Sequence, residues 1–294
     1  MSIKKYYINQ KEYPSFWDSA FAIQGSVTPR VYKKVLAFTA YAYMISILSP
    51  YVPWIKIPIS PFEYAGVVMG LVLVFRVNAG YDRWWEARKM WGTIVNCSRN
   101  LAVLVKNYAV FSNELERNKT FGLITSLPYL MKNNLRGISS TDEVKSLLDE
   151  NDYEQLQHWT HKVNFASSQL AAILSSLYKS ERINQFAFLK AEKLREDLLD
   201  CQGACERILK TPMPFVMAIK SRRFIFLFLL ILPMALADYS IIDPLVTALV
   251  AYALLSLDQI GVELQNPFST QSLSHLPLND ICGTIRDNIS EIQR

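Results

Sequence analysis

The sequence predicts an all-α membrane protein with four transmembrane helices and a large helical cytosolic region. Three observations carry that expectation. Charge-free runs sit in the outer thirds of the 294-residue chain, and basic residues flank them on one side only. The middle third repeats apolar residues at helical spacing, and nothing in it resembles a strand-rich or βαβ unit.

Composition narrows the classes first. Apolar residues make up 51% and charged residues 19%, against about 25% charged in soluble domains. A disordered chain needs few aromatics and high net charge, and this one holds 12% aromatics. Four cysteines are too few for a disulfide scaffold. The mean hydropathy of +0.11 and the net charge of +5 are averages over unlike parts. Residues 1–111 carry a net +8, residues 112–210 a net −1 and residues 211–294 a net −2.

Taken in order, residues 1–30 lack the 7–15-residue apolar stretch of a signal peptide, because Pro14, Trp17 and Asp18 interrupt them. A cytosolic N-terminal segment fits. Residues 35–55 hold 21 positions without a charge, enough for a helix to cross a hydrocarbon core of about 30 Å. Residues 64–75 form a 12-residue run. Residues 224–237 and 244–257 form two runs of 14, which read together as a helical hairpin with Asp238 and Asp243 at its turn.

Flanking charges decide that these short runs are spans. Arg30, Lys33 and Lys34 precede the first run. Arg76, Arg83, Arg88 and Lys89 follow the second, and Lys220, Arg222 and Arg223 precede the third. The opposite ends carry Lys56, Glu63 and acids. The positive-inside rule then places both termini in the cytoplasm of an inner (plasma) membrane. The expected division is 1–30 cytosolic, 31–82 the first two membrane helices, 83–218 cytosolic and helical, 219–262 the last two, and 263–294 a C-terminal segment along the surface of the cytosolic part.

Within the cytosolic part, residues 84–108, 153–178 and 181–209 follow helical spacing. Residues 135–141 read as a turn, with Thr141 or Asp142 as the N-cap of a helix after it.

Sites for chemistry are thin. There is no Walker A sequence and no G-x-G-x-x-G. His158 and His161 stand three apart without a nearby acid or cysteine at ligand spacing, so no metal is expected. Cys201 and Cys205 read as small buried residues. No nucleophile or acid–base constellation appears, so the chain is not expected to be an enzyme and needs no cofactor. The basic first third lacks the interleaved aromatics of a nucleic-acid platform, and its cations coincide with span ends.

The informative stretch is residues 63–76. Glu63, Val67, Leu71 and Phe75 recur every four positions and form one drifting stripe on a helix, about 6 Å apart along its axis. Gly66 and Gly70 beside it permit close helix approach. Periodicity alone allows two readings, packing in a bundle or facing an oligomer axis.

At these residues the sequence resembles the bestrophin family, and its bacterial branch most. The matching stretches are Ile57-Pro-Ile-Ser60, Gly66 to Phe75-Arg76, Asn78-Ala-Gly-Tyr-Asp-Arg-Trp-Trp-Glu-Ala-Arg88 and Met90-Trp-Gly92. Cys205-Glu-Arg207, Thr211-Pro-Met-Pro-Phe215, Leu255-Ser-Leu-Asp258 and Glu263-Leu-Gln-Asn-Pro-Phe268 come next, in order. The resemblance implies a homopentamer with one ion pore on its five-fold axis. It places a hydrophobic neck on Val67, Leu71 and Phe75 and a cytosolic aperture on Phe186. Such apolar rings gate by dewetting.

Eukaryotic members bind calcium through acids just after Asn-Pro-Phe. Here Ser269 to His275 carry no carboxylate, so no calcium activation is expected. Bacterial relatives resemble cation channels, and a ring of Glu63 at the pore entrance would draw cations. A helix-dipole role for Glu63 is the equal alternative. Arg76 is expected to pair with Asp82 or Glu86. The resulting expectation is a monovalent-cation (sodium-like) channel. An anion (chloride) channel of the same architecture, or a membrane-anchored helical scaffold binding a cytosolic partner, stands as the alternative.

Overall fold

The computed structural model describes residues 15–237 and 242–294. The first fourteen residues and Asp238 of the expected hairpin turn lie outside the described residues. In chain order the helices are α1 (Phe16–Ala20), α2 (Thr28–Leu48), α3 (Ser60–Tyr108), α4 (Glu114–Arg136), α5 (Asp142–Lys145) and α6 (Glu150–His158). They continue with α7 (Lys162–Lys179), α8 (Gln185–Lys210), α9 (Phe215–Ala235), α10 (Asp243–Glu263) and α11 (Leu278–Gln293). Among the described residues there is no strand. The chain divides into two compact units: residues up to Asn78 with Phe215–Val262, and Ala79–Pro214 with Glu263–Arg294.

The first unit is built from α2, the start of α3, α9 and α10. The charge-free run 35–55 does not coincide with its helix. α2 begins seven residues earlier and ends at Leu48, followed by a turn and the 3₁₀ segment Pro53–Ile55. Pro29 sits in the first turn, where its missing N–H costs nothing, whereas Pro50 and Pro53 prevent continuation. Arg30, Lys33 and Lys34 lie inside the helix and not before it. Of the expected hairpin acids, Asp243 opens α10 and is buried, with the Thr247 hydroxyl donating to it at 3.0 Å.

Its small core joins Met69, Leu73, Ile225, Leu229, Leu232 and Ala251. Gly66 meets the Phe228 ring, 3.7 Å from where a Cβ would stand, so close approach is used there; at Gly70 nothing lies within 4 Å. Among the described residues, three helices are long and apolar enough to cross a membrane: Thr28–Leu48, Phe62–Tyr108 and Asp243–Glu263. Less than a third of each apolar stretch is buried. α9 has the same 21-residue length, with Lys220, Arg222 and Arg223 in its first half and no charge from Phe224 on.

One carboxylate organises this unit. Asp258 of α10 forms ion pairs with Arg76 of α3, and with Arg222 of α9 at 3.2 Å from Nε. Arg76 and Asp258 are both buried. This corrects the expected pairing of Arg76 with Asp82 or Glu86. Asp82 is exposed, and Glu86 pairs with Arg207 at 2.9 Å. Helical spacing favoured partners on the same helix, but Arg76 points to the buried face of α3. Gly261, one turn beyond Asp258, lets Arg76 pass, since a Cβ there would stand 3.4 Å from Arg76 Cγ.

The second unit packs around α4. Its residues Phe121, Leu123, Ile124, Leu127, Leu130 and Met131 are fully buried, so this helix is enclosed on nearly all sides. α7, α8 and α11 pack against it. Side chains cap the helices: Asn113 accepts from the Glu116 N–H at 2.8 Å, Asp149 from Asp152 at 2.7 Å and Asn184 from Ala187 at 2.9 Å. Gly137 ends α4 at a φ of 66°, the left-handed cap that glycine adopts without steric cost. The turn expected at residues 135–141 begins only at Gly137, because Leu135 and Arg136 complete α4, and Thr141 precedes α5.

Two expectations need correction. The helical pattern 153–178 is broken at residues 159–161. Trp159 takes an extended ψ of 130° and His161 caps α7, accepting from Asn164 at 3.4 Å. The C-terminal segment does not lie along the surface. Leu278, Cys282, Ile285 and Ile289 of α11 are buried in the main core, beside Phe268 and Leu276. Cys201 and Cys205 are buried, as read; desolvation pushes their thiols up to about 11 and about 12.

Two substitutions test this packing. Asp258→Asn leaves two guanidinium groups facing a neutral amide. It is expected to cost about 3–5 kcal/mol, the usual cost of breaking a buried ion pair, read as a lower Tm of the detergent-solubilised protein. At Gly122 a Cβ would stand 2.0 Å from the Leu147 carbonyl oxygen, a backbone atom with little room to yield. Gly122→Ala is expected to destabilise by about 1–3 kcal/mol, and an unchanged Tm would contradict this packing.

Candidate functional site

α3 runs unbroken for 49 residues, because no proline interrupts it after its first turn. The two patterns read separately at 64–75 and 84–108 are therefore one helix. Its two sides differ sharply between residues 63 and 78. Met69, Leu73 and Arg76 are buried on one side. On the other, Val67 is 74% exposed, Leu71 55% and Phe75 60%. Glu63 is exposed in the first turn of the same face, beside the unsatisfied N–H groups of the helix start. The structure thus leaves the four expected α3 residues on a broad exposed side that also carries Tyr64, Val68 and Val74.

The exposed side continues in polar form. Asn78 and Asp82 are exposed one and two turns after Phe75, and Tyr81 and Trp85 stack with rings 6.4 Å apart. Further along, Arg88, Lys89, Arg99 and Lys106 are exposed. Along α3 the exposed residues therefore run acid, apolar collar, amide and acid, then cations.

Phe186 belongs to the second unit. It lies in the first turn of α8, directly after the Asn184 cap, and is 85% exposed with Leu189 exposed one turn on. A helix start fixed by a side-chain cap holds this ring outward on a rigid element.

Several motif residues have structural partners that sequence reasoning missed. Arg83 donates to the carbonyls of Thr211 at 2.7 Å and Gln265 at 3.3 Å, and also bonds the Ile208 carbonyl. Trp84 Nε1 donates to the Ser274 carbonyl at 2.7 Å. Glu263 accepts from the Leu273 N–H at 2.8 Å, and Asn266 from the N–H groups of Phe268 and Ser269 at 3.1 and 3.2 Å. Arg136 donates to the carbonyls of Phe268 at 3.2 Å and Leu276 at 3.4 Å. The only sequence signal for this clamp was the presence of Arg and Trp in a segment with no free role.

His161 sits 3.0 Å from Glu206, whose carboxyl stays near 2. Burial opposes that charge, and hydrogen bonds from Lys210, Gln202 and His161 outweigh it. His158 is exposed at the end of α6. Among the described residues no group of three His, Cys, Asp or Glu side chains stands close enough to hold a metal.

Comparison with known proteins bears on this arrangement. A family model described as Bacterial/Fungal Bestrophin protein matches residues 7–291. A Synechocystis protein named as voltage-dependent anion channel-forming is 32% identical over 95% of this chain and 92% of its own. A protein of the same descriptive name from Escherichia coli K12 is 26% identical over 92% and 90%. The crystal structure of a bacterial bestrophin homologue from Klebsiella pneumoniae superposes with a TM-score of 0.82 at 25% identity, covering 91% of this chain and 98% of that one. Matched over nearly its whole length, the chain belongs to the bacterial and fungal bestrophin family.

Proposed function

We propose that the chain forms a homopentameric, passive ion channel of an inner membrane, with the exposed line of α3 around its axis. Residues 31–82 and 219–262 would supply four spans per subunit, with 83–218 and 263–294 in the cytoplasm. The observation that carries the reading is the short apolar collar with polar ends on one face. Residues 64–75 cover roughly 18 Å of helix, well short of the roughly 30 Å hydrocarbon core. A lipid-facing helix would place Asn78 and Asp82 where polar groups are costly, whereas a face lining a water-filled axis would not. Five copies of Val67, Leu71 and Phe75 stack as apolar rings that gate by dewetting. Phe186 forms a second collar at the cytosolic end.

For selectivity, the anion reading now has better support than the cation preference expected from Glu63. Relatives at 32% and 26% identity are named anion channel-forming. On this chain the exposed residues of α3 beyond Phe75 include four cations and, in Asp82, one acid of its outward line. The cation reading keeps one specific observation, the exposed Glu63 at the other end of the collar. Calcium independence is supported by Arg136, a cation of the chain itself, which bonds the carbonyls of the loop after Asn266.

The purified particle should run at about 170 kDa plus detergent, five times 33.7 kDa; a monomer or dimer would favour the scaffold reading. In a planar bilayer under a sodium chloride gradient, the current should reverse at the chloride equilibrium potential. Reversal at the sodium value, shifted by Glu63→Gln, would assign cations instead. Val67→Ala, Leu71→Ala and Phe186→Ala should each raise conductance or open probability. Unaltered currents in all three would make them packing residues.

A further inference from the structure

The first unit contains a cavity of about 470 Å³ between α2, α9 and α10. Its charged lining comes from Lys34, Arg222 and Asp258, and its walls are apolar, with Phe38, Tyr41 and Phe226 prominent. The charged and apolar parts are ordered by helix register. Phe38 follows Lys34 by four residues on α2, and Phe226 follows Arg222 by four on α9. On each helix the cation therefore stands one turn before the aromatic ring on the same face. The cavity has a cationic mouth and an apolar barrel.

Charge at the mouth is unbalanced. Asp258 is shared between Arg76 and Arg222. Lys34 makes no ion pair with a described residue. Three cations thus meet one carboxylate. Nε and Nη2 of buried Arg76 also lack a hydrogen-bond partner among the described residues. Set against an apolar wall, this excess of positive charge would be balanced by an anion that also offers an apolar part. An inorganic anion would meet the cations and leave the aromatic walls empty. A hydrophobic ligand without charge would fill the walls and leave the mouth unbalanced.

From this pairing of charge and wall we propose that the cavity binds one anionic phospholipid, its phosphate at Lys34 and Arg222 and an acyl chain against Phe38, Tyr41 and Phe226. The proposal rests on the membrane reading above. Basic pockets between membrane helices on the cytoplasmic side hold anionic headgroups in this way. Occupancy would tie α2 to α9 at the end where Arg222 reaches Asp258, and so would bear on the ion pair that anchors α3.

The test uses the full-length protein in nonionic detergent, with Tm followed on addition of phosphatidylglycerol, phosphatidylcholine or inorganic phosphate. Phosphatidylglycerol should raise Tm, and the other two should not. Lys34→Gln, at an exposed position, should weaken the apparent affinity for phosphatidylglycerol about fivefold, the effect of one basic residue near an anionic headgroup. Ala37→Trp, which fills the cavity without touching its charges, should abolish the shift. An equal shift with phosphatidylcholine would overturn the proposal, as would a shift reproduced by phosphate alone or a wild-type response in both variants. Loss of the oligomer in Ala37→Trp would show that a second copy occupies the cavity, and would also overturn it. A protein that stays dispersed without detergent would remove the membrane reading and this site with it. One that needs detergent yet shows no lipid preference would remove the site alone.

Discussion

The first unit depends on the buried carboxylate of Asp258. Asp258 is the acid through which α3, α9 and α10 meet, with a guanidinium group from each of the first two helices. In a hydrocarbon environment an unpaired Arg76 would be costly, and the apolar contacts around it are few: Met69, Leu73 and a handful of residues from the other helices. Van der Waals packing between membrane helices is not reinforced by a hydrophobic driving force, because lipid is as apolar as leucine. A directional charge contact therefore fixes the register of α3 more sharply than the core does. It also determines which side of α3 is left outward. With Arg76, Leu73 and Met69 turned in, the helical period turns Val67, Leu71 and Phe75 out.

The second unit is held by a different logic. Its core is large and aliphatic, and the motif residues at its margins act on backbone groups. Arg83 collects carbonyls from the end of α8 and the segment after α10, where helix C-termini leave acceptors unsatisfied. A cation there also answers the negative end of the helix dipole. Within residues 265–276, Trp84 and Arg136 donate to backbone carbonyls, while Glu263 and Asn266 accept from backbone N–H groups. Four of the residues that signalled the family, Arg83, Trp84, Glu263 and Asn266, thus position backbone segments. A motif can be specific for a family and still report its scaffold.

The sequence revealed the helical class and grouped Glu63, Val67, Leu71 and Phe75 on one stripe of a helix, because both are periodic signals, but periodicity left open whether that stripe packs or faces outward. Where helices begin and end was less legible. A charge-free run located the second helix poorly, since Arg30, Lys33 and Lys34 are good helix residues and Pro50 is the true stop. Partners distant in sequence were invisible. Nothing in spacing links residue 76 to residue 258, or residue 136 to residues 268 and 276. The last helix was legible in its period: Leu278, Cys282, Ile285 and Ile289 recur at four, three and four, the spacing of a buried face. Proline and polar residues just before it masked that period and suggested an irregular segment.

The proposed pore separates two tasks that one ring could not perform together. Val67, Leu71 and Phe75 carry no charge, so a collar built from them resists anions and cations alike. It can set whether water enters, but not which ion passes. Sign must then come from the collar's ends, where Glu63 stands on one side and Asp82, followed by Arg88, Lys89, Arg99 and Lys106, on the other. These ends oppose each other. The weight of each depends on how far its charges stand from the axis and how much water screens them. Glu63 lies in the first helical turn beside unsatisfied N–H groups, which neutralise part of its field. Arg88, Lys89 and Arg99 lie within the continuing helix and have no comparable dipole against them, whereas Lys106 lies in its last turn beside unsatisfied carbonyls. Whichever end sets the sign, the apolar collar would keep the same gating role for either ion.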